Sequence, residues 1–495
     1  MNNQFQVRIT RVKIKNFKNV SNGDVKLMNW ASVERKAELS ITDIVGLYGQ
    51  NGSGKTALIE ALDIMKCVLT GSVISYPVFE GLFTKESLAE ITGYFFVYAP
   101  RQKYNVEYTV SLALDEKNKR IIIQNEDVKY KSFSKSWCKE RAFSISNPYN
   151  GIDDILMNKT VEVVSDRQTF IKDITLFSAI QQLAISCAQQ NVSLFFNPSS
   201  QKYFLDNLNS DKNEEKILAS VFSALFKFAY SDMHVIRVNQ LGAINSNTPI
   251  IPLNMRLSTD SAVIMGCLPL FTNGQGEVPE AVYPILKRTI DAINIAIRSV
   301  IPNLQIELKK KNEIEKENGK FIELDVFSQR FDKRFSIKYE SEGIKRIISL
   351  LHYLISVYNY QNVCLIIDEL DSGIFEYLLG ELLGFLKKDM KGQLIFTSHN
   401  LRAMEKLDTQ NIVCSTTNPN NRYIRLTGIS GNNNKRDFYI RSIILGGQKE
   451  ELYDEEDLLA MGFAFRKAGN VEGGADINFS EEFLKRLAKQ ESEGK

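Results

Sequence analysis

Gly49-Gln50-Asn51-Gly52-Ser53-Gly54-Lys55-Thr56 stands between an apolar, β-branched run, Ile41 to Tyr48, and a helical pattern, Ala57 to Leu69. Strand, glycine-rich loop, Lys-Thr and helix, in that order, is the P-loop arrangement. The glycines let the backbone curl so that successive N–H groups face inward at a helix N-terminus, where they hold phosphate oxygens. Gly49, Asn51, Gly52, Ser53 and Gly54 are therefore expected to form the cradle. Lys55 is expected to reach the β- and γ-phosphates, and the Thr56 hydroxyl to bind Mg²⁺.

The whole chain is consistent with a protein built around such a site. Its 495 residues predict two to four structural units. With 44% hydrophobic and 24% charged residues it has an ordinary globular composition with ample core. A net charge of +2 neither demands nor excludes nucleic acid, so a DNA role needs a local basic patch. The six cysteines (67, 138, 187, 267, 364 and 414) contain no Cys-x-x-Cys pair, which argues against a disulfide framework and against a zinc ribbon. A polar N-terminus without a signal peptide, and no apolar run of about 18 residues, predict a cytoplasmic chain that does not span a membrane.

Outward from the P-loop, Val7 to Val20 reads as a strand followed by the turn Ser21-Asn22-Gly23-Asp24, and Asn29 to Ser40 as a polar connection. Ile91 to Val97, Tyr104 to Ala113 and Arg120 to Asn125 predict antiparallel strands decorating the nucleotide lobe. From about residue 141 to 290 the texture changes. Ile174 to Ala188 and Ile217 to Tyr230 have helical spacing, while Asn245 to Asn254 and Pro269 to Pro279 read as loops, so this stretch is expected to be a mainly helical insertion. Val282 to Val300 predicts a helix ending before Pro302, and Glu317-Asn318-Gly319-Lys320 a hairpin turn. Lys309-Lys310-Lys311, diluted by four nearby glutamates, reads as a solvated hairpin face rather than a nucleic-acid patch.

The second half of the site is expected far downstream. Val363 to Ile367 is a continuous apolar run, as in a strand buried on both faces, and it ends in Asp368-Glu369. Carboxylates at the C-terminal end of such a strand lie where open α/β sheets bind ligands. Asp368 is the expected Mg²⁺ carboxylate, and Glu369 is placed to orient and deprotonate an attacking water. Gln393 to Thr397 predicts a third strand ending at Ser398-His399, which makes His399 a candidate γ-phosphate sensor; His234 and His352 read as structural. Ser341 and Gly343 precede a helical pattern, Ile344 to Tyr358, and could present a hydroxyl and free N–H groups to an anion.

In this order, the P-loop, the Ser-x-Gly helix, the Asp-Glu strand and the histidine strand resemble the ABC-type ATPases, within them the RecF/SMC-like branch. Lys15-Asn16-Phe17-Lys18 and Ser341-Glu342-Gly343-Ile344-Lys345-Arg346 are most similar to the OLD-type ATPases. The resemblance implies an α/β fold, an ABC-type P-loop ATPase head with a mixed sheet plus antiparallel strands, split into lobes at 1–140 and 291–430 around the insertion at 141–290, with a C-terminal extension at 431–495. It implies ATP and Mg²⁺ as cofactors, and it makes Ser341 and Gly343 a signature motif acting on ATP held by a second subunit; the leucine usual before that serine is Glu340 here. OLD-type nucleases continue into a Toprim domain. The segment after His399 shows no such carboxylate arrangement, and its acidic tract, Glu450 to Asp457, reads as a solvated helix.

The stretch Asp368 to Leu378, then Phe396 to Leu401, resembles ATPases of bacterial anti-phage systems such as PARIS and Septu. That implies self-association through ATP-bound heads, as a dimer or higher oligomer, and a separate effector such as a Toprim or HNH nuclease. A RecF-like repair ATPase, with DNA as partner, is the alternative; a nuclease in its own right is a third reading.

Overall fold

A computed structural model describes residues 5–27, 43–83, 88–99, 102–132, 141–146, 162–165, 186–206 (except 188), 213–238, 250–258, 263–428 and 434–453, with a few positions between 461 and 468. The chain divides into two compact units, Met1–Leu452 and Tyr453–Lys495. The strands and helices of the nucleotide fold lie in the first.

The chain opens with a hairpin, β1 (Gln6–Phe17) and β2 (Val20–Lys26), followed by β3 (Asp43–Tyr48), the glycine loop and helix α1 (Lys55–Leu69). Strands β4 (Ala89–Ala99), β5 (Gln102–Asp115), β6 (Arg120–Ser132), β7 (Arg141–Ser146) and β8 (Glu162–Ser165) extend that hairpin into a seven-stranded antiparallel sheet, ordered β2-β1-β4-β5-β6-β7-β8. Helices α2 (Pro198–Asp206) and α3 (Asn213–Lys227) follow; α3 ends in a π-helical turn, Phe228–Asp232, that leads into β9 (Met233–Ile236). The stretch expected as a helix at Ile174 to Ala188 lies largely outside the described residues, as does the polar connection at 29–40.

The segments read as loops near 250 and 270 are strands: β10 (Ile250–Ser258), β11 (Val263–Phe271) and β12 (Gln275–Pro279). Pro252 lies directly opposite Pro269 in the two-stranded β10–β11 hairpin. A two-stranded hairpin has only edge strands, so two missing N–H donors break no central ladder, and the prolines that suggested loops are tolerated there. Helix α4 (Tyr283–Val300) and strands β13 (Leu304–Lys316), β14 (Gly319–Arg330) and β15 (Lys333–Ser336) come next; β12 and β15 join β13 and β14 in an antiparallel sheet. Lys309, Lys310 and Lys311 lie on β13, all three exposed, with Lys311 paired to Glu323 across the hairpin.

The chain then alternates helix and strand: α5 (Glu342–Asn359), β16 (Cys364–Ile367), α6 (Glu376–Asp389), β17 (Gln393–Thr397), α7 (Leu401–Lys406), β18 (Ile412–Ser415), β19 (Tyr423–Ile424) and α8 (Lys435–Ile444). The central sheet is ordered β19-β18-β3-β17-β16-β9; only β19 is antiparallel. Its four inner strands, β18, β3, β17 and β16, are buried on both faces, and the period of two sorts their side chains. Val45, Leu47, Ile366, Ile395 and Val413 pack with α1 and the seven-stranded sheet. Ile44, Tyr48, Leu365, Ile367, Leu394, Phe396 and Ile412 pack with α5, α6 and α7 on the other side. A third core joins α4 and one face of α5 to the β12–β15 sheet and the β10–β11 hairpin.

Gln393 locks the two large sheets together. Fully buried, its side chain accepts from Ile9 N at 3.2 Å and donates to Ile9 O at 2.8 Å, an amide substituting for a missing strand neighbour. Beside it Arg8 donates to Lys391 O and lies 3.9 Å from Asp43. Burial outweighs the attraction of Arg8 and raises the Asp43 carboxyl to about 6. Among the described residues no helix is long and apolar enough to cross a membrane.

Candidate nucleotide site

The glycine loop connects β3 to α1 at the C-terminal edge of the parallel strands. Gly49, Gly52 and Gly54 have φ of 153°, 77° and 91°. The latter two lie in the left-handed region where a side chain would strain the backbone. At Gly49 space is the constraint: a Cβ there would come 2.0 Å from Ser415 Oγ. Gly52 has nothing within 4 Å of where a Cβ would stand, and Asn51 beside it is exposed, so the crest of the loop is open. Lys55 is buried, and its ammonium donates to Gly49 O at 2.9 Å and Gln50 O at 2.8 Å. Burial lowers its pKa to about 8, against the upward pull of Asp368, Glu369 and Asp371.

The strand order explains how distant segments meet. β17 lies between β3 and β16, so the ends of all three open onto one edge. Thr56 Oγ1 donates to Asp368 Oδ1 at 3.4 Å, closing a gap of 312 residues. Asp368 is held from behind by Thr397, whose hydroxyl donates to the same oxygen at 2.6 Å and accepts from Glu369 N at 2.7 Å. Glu369 itself has φ of 48°, a left-handed conformation unfavourable for glutamate. It is held by the Thr397 contact on its N–H and by Arg346, which donates to its carbonyl. Strain so over-determined at a cluster of acids is what functional sites often carry.

His399 follows β17 and is exposed; its N–H donates to Asp371 Oδ2 at 3.1 Å. Its pKa is lowered, first by partial desolvation of the ring and next by Lys55, against Asp371, Glu369 and Asp368. His352 is buried on α5, and burial lowers it to about 3, so it stays neutral. The structure thus gathers Lys55, Thr56, Asp368, Glu369 and His399 at one edge. Ser341 and Gly343 sit on the neighbouring turn. Ser341 is the N-cap of α5, accepting from Ile344 N, and a Cβ on Gly343 would come 2.3 Å from Gly373 O. Their contacts in this chain are with α5 and the turn after Glu369. Glu340, in the place of the usual leucine, is buried and accepts from Arg330 at 2.7 Å.

The residues present fit a nucleoside triphosphate with Mg²⁺. The loop crest is open, one buried cation lies beneath it, and the Thr56 hydroxyl and Asp368 carboxylate face each other across a gap. Mg²⁺ characteristically takes one or two protein oxygens and completes its shell with water and phosphate. Among the described residues, no group of three or more His, Cys, Asp or Glu side chains is placed to hold a metal. Sequence reasoning misses the roles of Thr397, Asp371, Arg346 and the residues behind the loop. Thr397 carries a signal as the last residue of the strand leading to His399, and Asp371 and Arg346 lie within the stretches Asp368 to Leu378 and Ser341 to Arg346.

The fold and this edge define a mixed α/β P-loop protein with several sheets. No protein-family model matches the sequence, and no curated protein matches it. Among solved structures, the Smc head domain of Pyrococcus furiosus bound to the C-terminal domain of ScpA aligns over 85% of this chain and 96% of its own, at 13% identity and a TM-score of 0.35. The Smc head domain from Pyrococcus yayanosii aligns over 85% of this chain and 97% of its own, at 13% identity and 0.38. The recombination mediator RecF with a bound ATP analogue aligns over 86% of this chain and 100% of its own, at 14% identity and 0.34.

Proposed function

We propose that this protein is an ABC-type ATPase that binds and hydrolyses Mg-ATP and works as the cytoplasmic sensor or regulatory subunit of a bacterial anti-phage system. In this reading it controls a separate effector, a Toprim or HNH nuclease or a toxin, through ATP-dependent self-assembly. The observation that carries the ATPase reading is the meeting of Thr56 with Asp368, beside Lys55 and Glu369, at the edge where β3, β17 and β16 end.

The chemistry assigned to each residue follows from its place. The loop amides and Lys55 would hold the phosphates, and Thr56 with Asp368 would hold Mg²⁺, which when bound neutralises phosphate charge. Glu369 is the general base for water, and His399, its pKa lowered, offers a hydrogen bond near the terminal phosphate. Ser341 and Gly343 would close the site of a second copy. Around their turn Phe331, Tyr339, Phe375 and Tyr377 stand exposed. Four large apolar side chains on adjoining segments suit a surface that is covered in an assembly.

The defence role rests on the resemblance of Asp368 to Leu378 and Phe396 to Leu401 to anti-phage ATPases. The test is to express the chain with its genomic neighbours, compare the parent with Glu369→Gln, and measure phosphate release and mass with and without Mg-ATP. The expected result is an ATP-dependent assembly, retained by Glu369→Gln, that carries a neighbouring gene product. A chain that stays monomeric with ATP and travels alone overturns the regulatory reading; one that releases no phosphate overturns the ATPase reading.

A RecF-like repair ATPase is the second reading, favoured by the row Arg11, Lys13 and Lys15 on β1. Arg11 is paired with Asp24 and Lys15 with Glu90, while Lys13 stands over the Tyr94 ring, so much of the row's charge is already engaged. A steep fall of DNA affinity with salt would restore this reading.

A further inference from the structure

β18 and β19 flank β3 on the side opposite β17, and they reach the glycine loop with side chains outside any nucleotide motif. Ser415 Oγ lies 2.5 Å from Ser53 Oγ and 3.1 Å from Tyr48 O, while Ser53 Oγ also reaches Gln50 O at 2.6 Å. With one proton each, the two hydroxyls satisfy two of these three contacts at a time and tie the first turn of the loop to β18. Tyr423 is buried and donates its hydroxyl to Gly54 O at 2.6 Å. Its ring is seated against Gly23, where a Cβ would come 2.6 Å from Cε2. Arg422 lays its stem beside Gly54 and donates to Asn19 O at 2.5 Å, and Asn19 in turn donates to Gly52 O.

The Tyr423 contact has a specific consequence. In a trans peptide the C=O of one residue and the N–H of the next point in opposite directions. Holding Gly54 O therefore aims Lys55 N–H to the far side. That N–H is the first of α1, without an intrahelical acceptor, and is the kind of group that meets phosphate at a helix N-terminus. Gly54 is the N-cap of α1, so its carbonyl also accepts the first intrahelical hydrogen bond. The Tyr423 hydroxyl is a second donor on the same oxygen and holds this plane from outside the helix, at a residue whose φ of 91° and missing side chain leave the loop side of the plane unconstrained. Burial pushes the Tyr423 phenol well up, so it remains a donor.

We propose that Tyr423, seconded by Ser415, is a positioning residue of the nucleotide site: it fixes the Gly54–Lys55 peptide plane so that the loop amides face the phosphates before a nucleotide arrives. This inference rests on the ATPase reading above. It predicts a loss in binding rather than in the chemical step, because an amide contact to the β-phosphate is made equally before and during hydrolysis.

The experiment compares the full chain with Tyr423→Phe and Ser415→Ala. It measures KM and kcat for Mg-ATP, and amide hydrogen exchange of the nucleotide-free protein. For Tyr423→Phe the expected result is a KM raised about tenfold, the loss of one buried hydrogen bond, with kcat held within about twofold. Exchange should quicken at 49–56 while the β16 and β17 amides keep their protection. Ser415→Ala should shift the same quantities in the same direction by less. A merely structural role would instead speed exchange throughout. Uniform loosening in both variants, or unchanged KM and unchanged exchange at 49–56, overturns the proposal while leaving an active parent an ATPase. If the parent binds no Mg-ATP, the ATPase reading falls and this inference falls with it.

Discussion

Thr397→Val tests the centre of the site with the smallest change of shape. The substitution replaces a hydroxyl with a methyl at a position only 1% exposed. Two contacts vanish: the donation to Asp368 Oδ1 at 2.6 Å and the acceptance from Glu369 N at 2.7 Å. The first is a short hydrogen bond to a carboxylate, of a class that contributes about 1.5–3 kcal/mol, and the second leaves a partly buried N–H without its acceptor. At about 1.4 kcal/mol per factor of ten, loss of the first contact alone is worth about 10- to 100-fold. The loss should fall on kcat and on the Mg²⁺ requirement, since Asp368 and Glu369 are the groups released. Nucleotide affinity through the loop should change less. Steady-state phosphate release over a Mg²⁺ series reads both quantities, and Thr397→Ser, which keeps the hydroxyl, should return kcat to within a few-fold of the parent. A Thr397→Val protein with parental kcat and parental Mg²⁺ dependence would refute the view that Thr397 holds the acidic pair in its working geometry.

Other perturbations probe the same edge. Lys55→Ala should weaken Mg-ATP binding at least tenfold by equilibrium titration, since it removes a buried charge from the phosphate site; unchanged affinity would count against the P-loop reading. Glu369→Gln should bind ATP normally but hydrolyse it ~100-fold more slowly, within the range of general base catalysis, and equal turnover would remove Glu369 from that role. With Lys55 lowered to about 8, the free protein loses that charge as pH rises past 8, so apparent ATP affinity should fall about tenfold between pH 7 and 9, with no such slope in Lys55→Ala. The same lowered value means the buried charge costs stability below pH 8, a cost relieved as pH rises toward the ordinary lysine value; thermal melts of the empty protein should show this sign. Gly343→Ala would force a Cβ to 2.3 Å from Gly373 O, a backbone atom, so the turn after Glu369 must shift. Turnover should drop while ATP binding to the isolated chain persists, and a fully active Gly343→Ala would refute the close approach.

Much of the site can be read from local pattern because its parts are local. The P-loop needs a strand, three glycines and a helix in direct succession, and β3 and α1 follow that succession. The strand carrying Asp368 is readable because a strand buried on both faces is continuously apolar, as Cys364–Ile367 is. The Gln393–Thr397 strand has the bounds its sequence predicts. The β10–β11 hairpin is not readable, because Pro252 and Pro269 signal loop unless each is known to face the other across an edge.

The sequence by itself singled out the glycine loop, Lys55 and the acidic strand end, since a glycine curl, a lysine and an acidic strand end are specified by neighbours within about ten residues. Only the tertiary structure decided what holds them. β17 enters the sheet between β3 and β16, and that order alone puts Thr397 against both Asp368 and Glu369. β18 enters on the other side of β3, and that alone brings Ser415 and Tyr423 onto Ser53 and Gly54, 362 and 369 residues away along the chain. The physical reason is that sheet order depends on which hydrophobic faces find partners across the whole fold. A serine, a threonine or a tyrosine carries no local mark of the carbonyl or carboxylate it will meet.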